Sequence, residues 1–94
     1  NKSKWTFLTN HSHVLLCLVD SPNMKMREIA KKVGITERAV QGIISDLRQE
    51  GYIDREKDGR RNIYHLHQEK HLKHPLEAHK KLSDLIQLIY NNTE

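Results

Sequence analysis

The sequence holds a single cysteine, Cys17, so it has neither an internal disulfide nor a cysteine zinc site. That usage fits a reducing cytoplasm, which is the expected compartment. Long apolar runs are missing too. The longest, VLLCLV at Val14–Val19, is far too short to span a bilayer. There is no glycine-rich phosphate loop, no internal repeat and no low-complexity tract. Cys17 lies inside the apolar run as a small hydrophobe rather than beside a positioned base. Histidines and carboxylates are scattered without a constellation, which leaves an enzyme, and any catalytic residue, without support. No signal peptide is visible, but the chain begins at Asn1 rather than Met, so that absence carries little weight.

What is present is a chain of 94 residues, enough for one domain with a modest core that would gain from dimerising. Hydrophobic residues make up 36% and charged residues 30%, the balance of a globular chain rather than a disordered or membrane one. The net charge of +4 and the pI of about 9.3 lean mildly toward a polyanionic partner.

Hydrophobic spacing divides the chain. Trp5 and Phe7 are candidate anchors in a mixed N-terminal stretch. Thr9 and Asn10 can cap a first helix bearing Val14, Leu15, Leu18 and Val19, which Ser21-Pro22-Asn23 stops. A second helix is expected from about Met26 to Lys32, with Ile29, Ala30 and Val33 inward and Gly34 as its stop. Thr36 is a good N-cap for a third helix from Glu37 to about Glu50, where Val40, Ile43, Ile44 and Leu47 repeat at helical spacing. Two strands follow, Tyr52–Asp54 running into Arg55 and Asn62–His67, around an Asp58-Gly59 turn. Alternation puts Tyr64 and Leu66 on one face and Ile63, His65 and His67 on the other. Gln68–His74 reads as a linker ending at Pro75. A last helix is expected from about Leu76 to Tyr90, with Leu82, Leu85, Ile86 and Ile89 as a narrow apolar stripe.

Helix, short turn, helix and hairpin is the order of a winged helix-turn-helix, a mainly α fold with a small β-hairpin. Its third helix can enter a major groove. On that helix Arg38 can pair with guanine and Gln41 with adenine, while Gly42 permits close backbone approach. Thr36 stands at its start, and Thr36 and Ser45 can reach phosphates. Lys57, Arg60 and Arg61 on the hairpin would meet the duplex backbone or a minor groove. Glu37 and Asp46 would repel phosphates and are expected to sit beside the interface or to steer specificity. The terminal stripe could close the chain's own core. The favoured expectation is a homodimer built from Trp5, Phe7, Leu82, Leu85, Ile86 and Ile89. A two-fold dimer sets its recognition helices roughly 34 Å apart and predicts a palindromic site.

The segments FLTNHSHVLLCL, REIAKKVGITERAVQGIISDLRQEGYI, KDGRRNIYHL and HPLEAHKKLSDLIQLI together resemble a family of small prokaryotic winged-helix transcriptional regulators related to the MarR and ArsR groups. The resemblance runs from about Phe7 to Ile89, and GITERAV with DGRRN-x-Y is its most specific part. It implies a dimeric DNA-binding regulator, with a winged core over about 9–67 and a dimerisation helix over 75–90 within the single domain 1–94. Two positions depart from the pattern: Lys25 replaces the usual Ser or Thr cap of the second helix, and Gly42 replaces a larger polar residue. Metal sensors occur among ArsR-like relatives, and the sequence has seven histidines. The paired ligand pattern on the last helix is not reproduced, since His79 and Asp84 lack a second pair, so no metal or other cofactor is expected. A small-molecule effector is left open, by analogy only. The expected function is a sequence-specific repressor acting by promoter occlusion. The alternative is a winged helix used for protein–protein interaction, its arginines meeting an acidic protein surface.

Overall fold

The computed structural model describes residues 4–91. Three helices come first: α1 (Asn10–Asp20), α2 (Met26–Val33) and α3 (Glu37–Gln49). The antiparallel hairpin of β1 (Ile53–Asp58) and β2 (Arg61–Leu66) follows, and then α4 (Leu82–Tyr90). The Thr9 hydroxyl caps α1 by accepting from Ser12 N, and the Thr36 hydroxyl caps α3 by accepting from Ala39 N. Lys25, with no acceptor on its side chain, gives α2 no such cap. Only the reciprocal half is made, Glu28 Oε1 accepting from Lys25 N at 3.2 Å. Gly34 ends α2 with φ 88°, the left-handed backbone that turns the chain into α3.

The core lies where the three helices meet the hairpin. Val14, Leu18, Ile29, Val40 and Ile53 are almost completely shielded from solvent, and Tyr52, Tyr64, Leu82 and Ile86 close over them. On α3 the buried positions Val40, Ile43, Ile44 and Leu47 follow the i, i+3, i+4, i+7 spacing of one helical face.

Two expectations are corrected. The hairpin loop is Gly59-Arg60 rather than Asp58-Gly59, because Asp58 pairs with Arg61 in the ladder. Gly59 carries the positive φ of 66°, as the first residue of a type II′ loop does, and no other residue type has a positive φ among the described residues. The last helix begins at Leu82, not Leu76. Residues 74–80 instead form successive turns, with Glu77 N donating to His74 O and Lys80 N to Glu77 O. The stretch Gln68–Leu72 is then no free linker. Leu72 N donates to Lys80 O, Leu82 N to Lys70 O and Ser83 N to Gln68 O, which ties this stretch to the start of α4. Between Leu76, which is 80% exposed, and Leu82 only Ala78 is apolar, so a helix there would have no face to bury.

The terminal stripe is also split. Leu82 and Ile86 are buried in the chain's own core, which removes them from the expected dimer set, while Leu85 packs against that core half-buried. Ile89, Leu88 and Tyr90 stay at the surface, as do Trp5 and Phe7, whose rings meet edge to face at 4.9 Å.

Candidate nucleic-acid interface

Opposite its buried stripe, α3 presents Arg38, Gln41, Gly42 and Ser45, again at i, i+3, i+4 and i+7, and all four are exposed. Among the described residues, the Arg38, Gln41 and Ser45 side chains make no hydrogen bond or ion pair. A Cβ placed on Gly42 would meet nothing within 4 Å, so packing within the chain does not require glycine there. Thr36 is exposed beside this face, but its oxygen is engaged in the cap; its hydroxyl proton stays free to donate.

The two acids that would repel a polyanion are each held from the side. Glu37 pairs with Arg27 of α2 at 3.9 Å, and Asp46 Oδ2 lies 2.8 Å from His11 Nε2 of α1. Both pairs are solvent-exposed, so they add little to stability. Each carboxylate leans toward a neighbouring helix rather than standing alone on the α3 face.

The hairpin is two-faced. The ladder register sets Arg55, Lys57, Asn62 and Tyr64 on the face that continues from buried Ile53. Asp54, Glu56, Asp58, Arg61, His65 and His67 share the other. There His65 Nε2 bonds Glu56 Oε1 and His67 Nε2 bonds Asp54 Oδ2, each at 2.7 Å. Lys57 and Arg61, expected in one patch, therefore stand on opposite faces of the hairpin. Arg60 sits in the loop, and Arg60 and Arg61 border the start of α2 rather than α3.

Two cations went unnoticed in the sequence. Arg48 and Arg55 flank Ser45 in an open notch of about 440 Å³ between the end of α3 and the root of β1. Among the described residues neither has an ion-pair partner. Arg55 could have been found from strand alternation, since it is two residues before Lys57 and shares its face. Arg48 could have been found from helical spacing, three residues after Ser45.

The seven histidines form no metal site that can be recognised: among the described residues, no three of His, Cys, Asp and Glu are grouped to hold an ion. No helix among them is long and apolar enough to cross a membrane.

Three packed helices with a steep turn between α2 and α3, followed by a hairpin beside the exposed face of α3, define a winged helix-turn-helix. The MarR family model matches residues 9–62, from the cap of α1 into β2 and more than half of the chain, and the chain belongs to the MarR family. Solved structures agree. The PcaV transcriptional regulator from Streptomyces coelicolor is 28% identical, with a TM-score of 0.52 over 62% of this chain and 45% of that one. ZitR from Lactococcus lactis, solved in complex with DNA, is 22% identical, with a TM-score of 0.55 over 69% of this chain and 46% of that one. PcaV bound to its natural ligand superposes over 98% of this chain and 66% of that one, at 21% identity and a TM-score of 0.55. The chain thus spans less than half the length of the first two relatives. Among curated proteins none matches.

Proposed function

We propose that this chain is the DNA-reading part of a homodimeric, sequence-specific transcriptional regulator that represses by occluding its promoter. The observation that carries the reading is the outward stripe of α3. Arg38, Gln41 and Ser45 are exposed, aligned and unpartnered, while the neighbouring acids are tied to other helices. Unpartnered arginine and glutamine forks on one helix face are the groups that read base edges. Arg48, Arg55 and Lys57 extend positive charge from α3 along the inner face of the wing, and Arg60 and Arg61 carry it around the tip, where phosphates would run. The family's solved members, transcriptional regulators among them, support the same assignment. The dimer surface would use Trp5, Phe7 and Ile89 from the expected set, joined by Leu88.

The test is selection from a randomised duplex pool at low and then moderate salt, with the bound fraction sequenced and its stoichiometry measured. Enrichment of a palindrome bound by two chains is expected. Failure to retain any duplex at low salt would sink the reading and turn the exposed arginines toward an acidic protein surface.

A further inference from the structure

An open cavity of about 540 Å³ lies where α1, the C-terminal end of α3, the turns of residues 72–77 and the start of α4 meet. The docking scheme above does not use it. Much of its lining is apolar. Leu15, Leu47, Tyr52 and Leu82 are buried there, and Leu72 and Leu85 stand half-buried beside them. The Tyr52 hydroxyl is spent on His71 O at 2.7 Å, so the ring offers the cavity surface rather than a free donor. The volume suits a small molecule, whose sites run to roughly 300–1,000 Å³.

The polar part of the lining is lopsided in charge. Asp46, Glu50 and Glu77 bring three carboxylates, and Lys73 alone brings an ammonium. Lys73 is already engaged, its Nζ lying 3.2 Å from Glu50 Oε2. Asp46 Oδ2 meets His11 Nε2 at 2.8 Å. The Glu77 side chain makes no hydrogen bond or ion pair among the described residues. His74 does not offset it, because its Nδ1 accepts from Leu76 N at 3.0 Å and the ring is then neutral. These charges act on one place. Burial is the largest cause that raises the Tyr52 phenol, and beyond it Lys73 lowers that phenol while Glu50 and Glu77 raise it. A negative cavity thus sits on a chain whose net charge is +4.

We propose that this cavity binds a small organic cation, an amine carried on an apolar or aromatic body. The body lies against the leucines and the Tyr52 ring, and the ammonium meets the free Glu77 carboxylate in the field of Asp46 and Glu50. An anion of the same shape would face those carboxylates with Lys73 already taken, so charge rather than shape sets the choice. The site stands independently of the DNA-binding reading.

The experiment is an NMR titration of the full chain at neutral pH, without DNA, using tryptamine against indole-3-acetate. The two probes share an indole ring and differ in the sign of the side-chain charge. Saturable shifts of the Lys73 and Glu77 amides and of the Leu72 and Leu85 methyls are expected with tryptamine. Its affinity should exceed that of indole-3-acetate about tenfold, since one probe is attracted and the other repelled. Glu77→Gln removes an exposed charge and no hydrogen bond, so the melting temperature should hold. It should weaken tryptamine about three- to fivefold, the worth of one solvent-exposed ion pair. Glu77→Lys should bring the two probes within about twofold of each other. Equal affinities in the parent, tighter binding of the anion, or a preference unchanged in both variants would overturn the proposal. Probes that shift none of these residues would do the same. Shifts of the same residues on concentrating the protein alone would give the cavity to a second copy, and that too would overturn it.

Discussion

The backbone N–H of Tyr64, in the middle of β2, donates to the carbonyl of Pro22 in the loop between α1 and α2, at 3.0 Å. This bond ties the outer edge of β2 to the loop that holds Pro22, on the side away from β1. It also turns the Tyr64 amide away from β1, so Arg55 and Tyr64 face each other as a non-hydrogen-bonded pair. The Arg55 N–H then points to the open edge of β1. In hydrogen exchange followed by NMR, the Tyr64 amide should be protected well beyond the Arg55 amide. Equal rates would mean that the wing is not anchored to the helical body through Pro22.

The stripe on α3 and the wing cations should fail in different ways when altered. Arg60→Ala and Arg61→Ala remove charge without removing a base contact. Each should weaken all duplexes alike and reduce the salt slope of binding by about 1. Gln41→Ala should cost about 1–3 kcal/mol on the selected sequence and relax preference at one base pair. Salt-dependent titrations of selected and scrambled duplexes distinguish the two patterns. A Gln41→Ala protein with the parent's preference intact would remove α3 from the readout.

Two glycines should respond to alanine with opposite signs. At Gly34 the backbone lies at φ 88°, where any Cβ is strained, so Gly34→Ala should destabilise the fold by about 1–2 kcal/mol. Gly42 is an ordinary helical position in open space, and Gly42→Ala should stabilise by roughly 0.5–1 kcal/mol. Urea unfolding measures both. If DNA approaches α3 at Gly42, the stabler variant will bind duplex more weakly than the parent.

Local chemistry explains what was legible in the sequence. Thr9 and Thr36 announce helix starts because a hydroxyl before an apolar-periodic run can do little else as well as cap. The spacing of Val40, Ile43, Ile44 and Leu47 likewise fixed one face of α3 and, by subtraction, the other. The errors lie where distant segments decide. Asp-Gly suggested a turn centred one residue early, and only the pairing of Asp58 with Arg61 shows the loop to be Gly59-Arg60. Residues 74–80 carry helix-forming types, but their backbone is spent on turns and on bonds to Gln68–Leu72. The His65–Glu56 and His67–Asp54 pairs depend on cross-strand register, which composition does not carry. Arg55 is brought beside Ser45 only by the packing of α3 on β1, whereas Arg48 lay within reach of helical spacing alone.

The two hydrogen-bonded tyrosines Tyr52 and Tyr90 couple the fold's stability to alkaline pH. Burial pushes the Tyr52 phenol above its ordinary value of 10.0, with Lys73 pulling partly back. Burial and then Asp20 and Cys17 push Tyr90 the same way from 10.0. Each hydroxyl donates to a carbonyl, Tyr52 to His71 O and Tyr90 to Leu16 O, so its proton is worth more in the folded chain than in the unfolded one. A raised folded pKa means that this stability is complete below the unfolded value near 10 and is lost as pH climbs through the folded one. Urea midpoints measured at about pH 9 and again at about pH 11 should therefore fall. Tyr52→Phe and Tyr90→Phe should each start lower at the first pH, for want of a hydrogen bond worth about 1 kcal/mol, and then fall less between the two. A parent and variants with the same pH slope would show that neither phenol is held by its carbonyl.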